Sequence, residues 1–338
     1  MKNSSSIIST DLPSDLLEDA LADEPSATDA EQRSLRIAPE QHGLRLDRAL
    51  VALVPEFSRS YLQQLIEAGA VSANGLTLSK ASAKVLVGQS LTIELRPTQQ
   101  SQAFLPQAMA LDVVFEDAHL RVIHKPAGLV VHPAPGNWSG TLLNGLLALD
   151  PSAGLVPRAG IVHRLDKDTS GLMVVARSRA AMDALVHMIA ARDVVREYVA
   201  LAHTSWQGAK AVQVREPIGR DVRNRLRMAV VDLDKNPGKS ASTGISLLQN
   251  CEQGCWVRCK LETGRTHQIR VHMAHLGHPL VSDTLYGGAV VGTLARQALH
   301  AERLAFTHPM TDQALSFQAP LPPDMVAALA VWGLRYNA

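Results

Sequence analysis

Residues 163–170 crowd seven polar side chains between two apolar runs. The sequence there is HRLDKDTS, preceded by Ile161 and Val162 and followed by the strand-like stretch GLMVVA. A short polar loop between two strands is a common place for catalytic groups, because the sheet holds the loop in position. Asp166 is the carboxylate at the centre of this loop. The alternative is a charged surface turn whose ions neutralise one another, and the spacing alone favours that alternative.

A second group of polar side chains lies in residues 262–279, ETGRTHQIRVHMAHLGHP. Gly264 ends a predicted strand, Thr266 is the candidate helix cap, and Gly277 ends the predicted helix. Four histidines of this segment are candidate metal ligands: His267, His272, His275 and His278. The helix has no HExxH motif and no internal carboxylate, and its histidines drift around the axis. Packed or RNA-facing histidines are therefore favoured over metal ligands.

Motifs for several other chemistries are missing from the sequence. It contains no GxGxxG, no GxxxxGK followed by Ser or Thr, no GxSxG, and no HxE paired with PCxxC. These are the usual motifs of dinucleotide binding, triphosphate binding, serine hydrolysis and zinc-dependent deamination. The chemistry-bearing residues that remain are an aspartate, a nearby arginine, and Tyr198 in the predicted strand REYVAL.

Strands and helices interleave over residues 111–338, the predicted larger domain. Strands are predicted in VVFE, LRVIH, GLMVVA, REYVALAH and GCWVRCKL, and helices in TLLNGLLAL, SRAAMDALVHMIAA, HQIRVHMAHL and DMVAALAVWGL. The strands are short, and they do not alternate regularly with helices as in βαβ units. This pattern predicts an α+β fold with a mixed, mainly antiparallel sheet flanked by helices.

Residues 37–98 predict a smaller domain of two helices and a small sheet. The apolar residues of RLDRALVAL recur at helical spacing, and Ser58 or Ser60 is placed to cap a second helix. The dipeptide Asn-Gly at residues 74–75 predicts a tight hairpin. The stretch resembles the S4-type RNA-binding domain. Its second helix carries QQLIE rather than a basic face, and we therefore expect weak RNA binding by this domain alone.

The regions outside the two predicted domains are polar. Residues 1–34 hold eight acidic and two basic side chains, a net charge of −6, which leaves +7 on the rest of a chain whose total is +1. We predict that residues 1–36 form a disordered acidic tail and residues 99–110 a linker. The basic excess of the body is typical of a protein with a polyanionic partner, although many other proteins share it.

Composition sets the broad class of the protein. A chain of 338 residues, 46% hydrophobic and 19% charged, is long enough for two domains and is not disordered throughout. The sequence shows no membrane-spanning apolar stretch and no signal peptide. Cys251, Cys255 and Cys259 have the spacing of neither a disulfide framework nor a zinc knuckle. We expect a soluble protein of a reducing compartment, the cytoplasm.

Four long motifs together resemble the RluA family of pseudouridine synthases. They are IHKPAGLVVHPAPGNWSGTLLNGLL, HRLDKDTSG, REYVAL and ETGRTHQIRVHMAHLGHPLVSD. The resemblance runs from about residue 44 to the end of the chain and includes the S4-like domain. It implies an enzyme that isomerises uridine to pseudouridine in RNA, with no cofactor and no metal.

The same resemblance implies a role for each matching residue. Asp166 corresponds to the catalytic nucleophile, and Arg270 to the ion-pair partner that keeps this carboxylate charged and oriented. Tyr198 corresponds to the tyrosine that stacks on the target base. Arg164 corresponds to the residue that takes the place of the flipped base, while Arg265 and His163 are candidate RNA contacts.

The implied partner is large-subunit ribosomal RNA, either naked or in the pre-assembled subunit. The implied targets are uridines of the helix 69 stem-loop. The protein is expected to be a monomer and to have no membrane partner. The alternatives are a synthase acting on another ribosomal or transfer RNA site, a metal-dependent nuclease that uses Asp166, Asp168 and the histidines, and a non-catalytic RNA-binding protein. Sensitivity to a metal chelator separates the nuclease from the synthase.

Overall fold

The computed structural model describes residues 31–96, 101–134, 136–224 and 226–336, in two compact units that divide after Gln102. Its helices are α1 (Leu46–Leu53), α2 (Arg59–Glu67), α3 (Leu142–Leu149), α4 (Arg179–Ala191), α5 (Gln268–His275) and α6 (Pro323–Val331). Its strands are β1 (Glu31–Arg36), β2 (Val71–Ala73), β3 (Leu76–Thr77), β4 (Ser90–Leu95), β5 (Asp112–Glu116), β6 (Leu120–Lys125), β7 (Ser170–Ala176), β8 (Val195–His203), β9 (Ala211–Val214), β10 (Ile218–Arg220), β11 (Met228–Val230), β12 (Gly238–Lys239), β13 (Thr243–Asn250), β14 (Gly254–Leu261), β15 (Leu299–Thr307) and β16 (Ala314–Gln318).

The first unit packs α1 and α2 against an antiparallel sheet of order β1-β4-β2-β3. The apolar stripe of α1 is buried, as its spacing predicts. Ser58 caps α2, since its side chain accepts a hydrogen bond from the Tyr61 N–H. Asn74 and Gly75 have φ values of 49° and 82°, the left-handed geometry of a tight hairpin turn between β2 and β3. The predicted elements of this unit are confirmed.

Strand β1 departs from the prediction, which placed residues 31–36 in the disordered tail. The strand pairs with β4 along its whole length, with Leu35 opposite Leu91. The two half-buried positions are occupied by Arg33 and Leu35. The sequence therefore does not alternate apolar and polar residues as a typical half-buried strand does. Backbone pairing with β4 holds the strand in place, although its own side chains bury little apolar surface. The rest of the predicted tail, residues 1–30, lies outside the described residues.

Among the described residues of the first unit, Asp47 in α1 has a buried carboxylate. It accepts hydrogen bonds from Arg45 at 3.0 Å, Arg59 at 2.7 Å and Gln63 at 2.8 Å. The hydrogen bond from Arg45, helped by those from Arg59 and Gln63, outweighs burial and holds the pKa of Asp47 well below its usual range. Two arginines that could contact phosphates are thereby committed to an internal ion pair.

Asp47→Ala is expected to destabilise the first unit by about 2 kcal/mol, because Gln63 and the Arg48 N–H lose their buried acceptor. Since the folded pKa is depressed, the carboxylate contributes fully above about pH 4 and loses its contribution as the pH falls further. Amide hydrogen exchange checks both points. Protection should fall in α1 and α2 and stay unchanged in the second unit, and equal losses in both units would contradict this account.

The second unit is built on a sheet of order β5-β6-β7-β15-β8-β14-β13-β9, with β16 added to β15. Among the described strands only β7 and β15 pair in parallel, and a separate small sheet has the order β11-β10-β12. Helices α3 and α4 pack against this unit's apolar clusters. The predicted α+β class, with its mixed and mainly antiparallel sheet, is confirmed.

Part of the predicted linker, residues 99–110, is attached to the second unit. Asn144 in α3 donates hydrogen bonds to the carbonyls of Ala103 and Leu105, at 3.0 and 2.9 Å. Its own carbonyl accepts from the Gln107 N–H at 3.0 Å. One buried asparagine thus holds residues 103–107 in place, and a polar sequence without periodicity does not reveal such anchoring.

The three cysteines are free thiols on or beside β14. Cys255 and Cys259 point to the same buried face because strand positions four apart share a face. Burial raises the pKa of Cys255 to about 12 and that of Cys259 further, so neither thiol ionises near neutral pH. Within the described ranges no helix is long and apolar enough to cross a membrane.

Candidate active site

The loop of residues 163–170 runs from a bridge between Ile161 and Val175 into the start of β7. The His163 ring fixes it, because Nε2 accepts a hydrogen bond from the Val174 N–H at 3.1 Å. Burial lowers the pKa of His163 to about 3, so this ring is neutral. The sequence predicts that His163 contacts RNA, and in the structure the hydrogen bond of its ring also supports the loop.

A buried lysine holds the same loop from the other side. Lys125, at the end of β6, is fully buried and donates hydrogen bonds to the carbonyls of Pro126, Leu129 and Lys167 at 2.8, 2.9 and 3.0 Å. Burial lowers its pKa to about 7, against the raising effect of Asp168 and Asp166. This role was not predicted from the sequence. The motif IHKPAG contains the residue, but a lysine at a strand end is usually exposed.

Lys125→Met should reduce the rate of the reaction that the resemblance implies by about tenfold or more at saturating substrate, because it removes the donor that fixes the residue next to Asp166. The variant keeps the apolar stem and deletes only the ammonium group. The Gly128 N–H, which bonds the Lys167 carbonyl at 2.9 Å, should also lose protection from hydrogen exchange. Lys210→Met at an exposed position is the control. An unchanged rate with unchanged Gly128 protection would rule out the supporting role.

Helix α5 starts differently from the prediction that Thr266 caps it. The residue before the helix is His267, in the left-handed region with φ 57°, and it makes no side-chain cap. The Gln268 side chain instead ties the start of the helix to the preceding loop, with Oε1 accepting from the Arg265 N–H at 3.0 Å and from the Thr263 hydroxyl at 2.7 Å. This buried amide fixes the first turn of α5, in which Arg270 lies.

Arg270 is bound to two carboxylates. Its Nε and Nη2 donate to the two oxygens of Asp283 at 2.7 and 2.8 Å, and Nη1 donates to Asp166 at 3.1 Å. Its guanidinium also lies 4.9 Å from the centre of the Tyr286 ring. Burial opposes the charge, but the hydrogen bonds and charge of Asp283, with those of Asp166, raise the pKa of Arg270 above its usual value.

Asp283 and Tyr286 were not singled out from the sequence. Asp283 is only 1% exposed and anchors Arg270, while Asp166 keeps 17% of its side chain exposed. The carboxylate that faces the open side is therefore Asp166. Asp283 ends the quoted motif HMAHLGHPLVSD, but nothing in its spacing distinguishes it from an ordinary loop aspartate.

Asp166 opens into a pocket that Tyr198 also lines. Tyr198 lies on β8 and is 5% exposed, and burial raises its pKa to about 12, so its hydroxyl is neutral. Arg164 lines the pocket with an exposed side chain. Arg265 lines it too, with its Nε bound to the Ser240 carbonyl at 3.0 Å. The structure thus brings together five of the six predicted residues, and His163 is not among the residues that line this pocket.

Comparison with known proteins decides the family. Residues 119–275 match the RNA pseudouridylate synthase family and residues 44–91 match the S4 domain. The chain is 47% identical to ribosomal large subunit pseudouridine synthase D of Neisseria meningitidis serogroup B, over 97% of its own length and 88% of that protein. The chain belongs to the pseudouridine synthase family.

Two further relatives agree with this assignment. The synthase is 43% identical to ribosomal large subunit pseudouridine synthase D of Escherichia coli O6:H1, over 89% of its own length and 94% of that protein. Among solved structures it resembles human RNA Pseudouridylate Synthase Domain Containing 1, with 25% identity, a TM-score of 0.52, and coverage of 68% of this chain and 91% of that one. The resemblance inferred from the motifs is confirmed, and the chain is a pseudouridine synthase.

The histidines of α5 and its flanks are engaged separately in the synthase. His272 is fully buried between the Thr243 hydroxyl at 2.9 Å and the Glu216 carbonyl at 3.0 Å. His278 contacts the His203 and Thr204 carbonyls. The described residues contain no group of three or more His, Cys, Asp or Glu side chains placed to hold a metal ion. For His272, the packed position favoured by the sequence is the one observed.

Proposed function

We propose that this synthase isomerises uridines of large-subunit ribosomal RNA with Asp166 as the nucleophile. The observation that carries the proposal is the placement of Asp166, which Arg270 holds at 3.1 Å and which opens into the pocket lined by Tyr198. The guanidinium of Arg270 pairs with this carboxylate and orients it. The relatives quoted above are named for the ribosomal large subunit, and this supports the choice of RNA.

The reaction needs one nucleophile and no oxidant, reductant or added water. Asp166 bonds to C1′ of the target uridine while the N1–C1′ bond breaks, and that bond's electron pair stays on the base. The detached base turns, and its C5 bonds to C1′ as the carboxylate leaves. The C5 proton passes to water and N1 takes up a proton, so the product has the same composition as the substrate.

The other pocket residues fit the handling of a flipped base. Flipping costs a few kcal/mol of stacking and pairing, part of which a buried aromatic ring and an inserted guanidinium can replace. We assign the first role to Tyr198, whose hydroxyl is neutral, and the second to the exposed Arg164. Arg265 is assigned to a backbone phosphate. None of these roles calls on a cofactor or metal.

We assign the substrate to uridines of the helix 69 stem-loop, reached by a monomeric enzyme in the cytoplasm. The relatives' names and the S4 domain support ribosomal RNA as the partner. Arg45 and Arg59 of the S4 domain are paired with the buried Asp47, and we therefore assign most of the phosphate binding to the second unit.

Mapping of pseudouridines in ribosomal RNA tests this proposal. Carbodiimide adducts read by primer extension are compared in cells with the gene, without it, and with the gene for Asp166→Asn. We expect the helix 69 signals to vanish in the last two. Loss of signals at another ribosomal or transfer RNA site would identify that site as the substrate instead of helix 69. Unchanged signals at every site would overturn the proposal.

A further inference from the structure

His267 lines the pocket but has no role in the steps assigned to Asp166, Tyr198 and Arg164. The Nε2 atom of His267 lies 4.0 Å from the Asp166 Oδ1, and its ring lines the same pocket as Tyr198. Its side chain is 19% exposed, similar to the 17% of Asp166, so both groups are open to a bound substrate. The separation is too long for a hydrogen bond, which leaves Nε2 available to another partner.

The opposite ring atom of His267 is already bound. His267 Nδ1 lies 2.8 Å from the Tyr286 hydroxyl, and that hydroxyl accepts a hydrogen bond from the Met228 N–H at 3.0 Å. We infer the tautomer in which Tyr286 donates its hydroxyl proton to Nδ1, so that the ring proton lies on Nε2. The Met228–Tyr286–His267 chain thus turns a donor N–H towards the pocket.

The surroundings of His267 also favour the neutral form of its ring. Burial lowers the pKa of His267, and Arg270 and Arg164 act in the same direction, whereas Asp166 and Asp283 oppose the shift. A neutral ring with its proton on Nε2 gives one hydrogen bond without adding a charge that would pair permanently with the nucleophile. Its Nε2–H is therefore held ready for an oxygen that becomes negative during the reaction.

We propose that His267 is a further catalytic residue, whose Nε2–H donates a hydrogen bond to a carbonyl oxygen of the target base as the N1–C1′ bond breaks. This inference rests on the proposed function. The broken bond leaves its electron pair on the base, where the carbonyl oxygens share the negative charge. A donor fixed near Asp166 stabilises that charged state more than the neutral uridine, and so lowers the barrier.

The backbone at His267 provides a way to test the idea. A left-handed conformation costs a non-glycine residue on the order of 1 kcal/mol, with asparagine and glycine the best tolerated residues. If position 267 served only to start α5, His267→Asn and His267→Gly should work at least as well as the wild type. If the ring acts in the reaction, both variants should fold well and react slowly.

The experiment uses the full chain and RNA labelled with tritium at C5 of uridine, and follows single-turnover release of tritium to water. We expect His267→Asn and His267→Gly to be slower by on the order of 100-fold at saturating RNA, with RNA affinity within about threefold of wild type. Added imidazole should partly restore His267→Gly. The control is His275→Asn, on an exposed position of the same helix, which should match the wild type.

Three outcomes would overturn the inference. Rates within about threefold of wild type in both variants, with Asp166→Asn inactive, would show that His267 has no catalytic role, while the proposed function would stand. Weakened RNA affinity with a normal rate at saturation would make His267 a binding residue only. If the wild-type protein released no tritium, both the proposed function and this inference would be wrong.

Discussion

Asp166→Asn is expected to abolish pseudouridine formation while RNA affinity stays within about threefold of wild type. Asparagine keeps the shape of the side chain and an oxygen that can accept the hydrogen bond from Arg270, but it cannot act as the nucleophile. Single-turnover kinetics and a filter-binding assay measure the two quantities separately. Residual activity within about tenfold of wild type, a barrier change near 1.4 kcal/mol, is too small for a lost nucleophile and would contradict the assignment.

Asp168→Asn is the matched control for that experiment. The two aspartates share one loop, and Asp168 does not line the pocket that Asp166 opens into. We expect Asp168→Asn to retain activity within about threefold of wild type. A nuclease that used both carboxylates would lose its activity in either variant, so the pair also separates the two classes of enzyme.

Arg270→Lys is expected to lower the rate by on the order of 100-fold or more, although the positive charge is kept. Arginine reaches two carboxylates with three N–H groups in one plane, and a lysine ammonium group cannot reproduce this geometry. Asp283, which is almost fully buried, would lose its paired donors. The measurement is the single-turnover rate, together with denaturant unfolding to show that the variant is folded.

The control for Arg270→Lys is Arg179→Lys, which alters an exposed i, i+4 ion pair with Asp183 on α4. Its rate should equal that of the wild type, because such pairs contribute little. Near-normal activity in Arg270→Lys would show that Asp166 does not depend on the bridging guanidinium. The partner role would then pass to another cation of the pocket, with Arg265 the first to examine.

Local signals in the sequence predicted most elements of the fold correctly. Two examples are the cap of α2 at Ser58 and the hairpin at residues 74–75. Both depend only on neighbouring residues in the chain, so they can be predicted from residue types. The two polar segments around Asp166 and Arg270 were recognised for the same reason. Strand β1 and the anchored residues 103–107 depend on partners far along the chain, and their polar sequences carry no such signal.

The site shows the same division between local and distant information. Asp166 and Arg270 are 104 residues apart, and their proximity was implied only by resemblance to a family. Asp283 and Lys125 hold Arg270 and the loop of residues 163–170 from buried positions. Charged side chains are usually exposed, so the sequence does not predict these positions. The start of α5 was placed close to its true position but with the wrong cap, because the Gln268 side chain acts through contacts that form only in the folded sheet.

The most direct test of the central claim is the fate of the C5 hydrogen when the wild-type protein acts on ribosomal RNA labelled with tritium at C5 of uridine. An isomerisation that replaces the C5–H bond with a C5–C1′ bond releases one tritium for each pseudouridine formed. The RNA stays full length, no free uracil appears, and a metal chelator has no effect. Shortened RNA that depends on metal, released uracil, or intact RNA that retains all its tritium would each contradict the account.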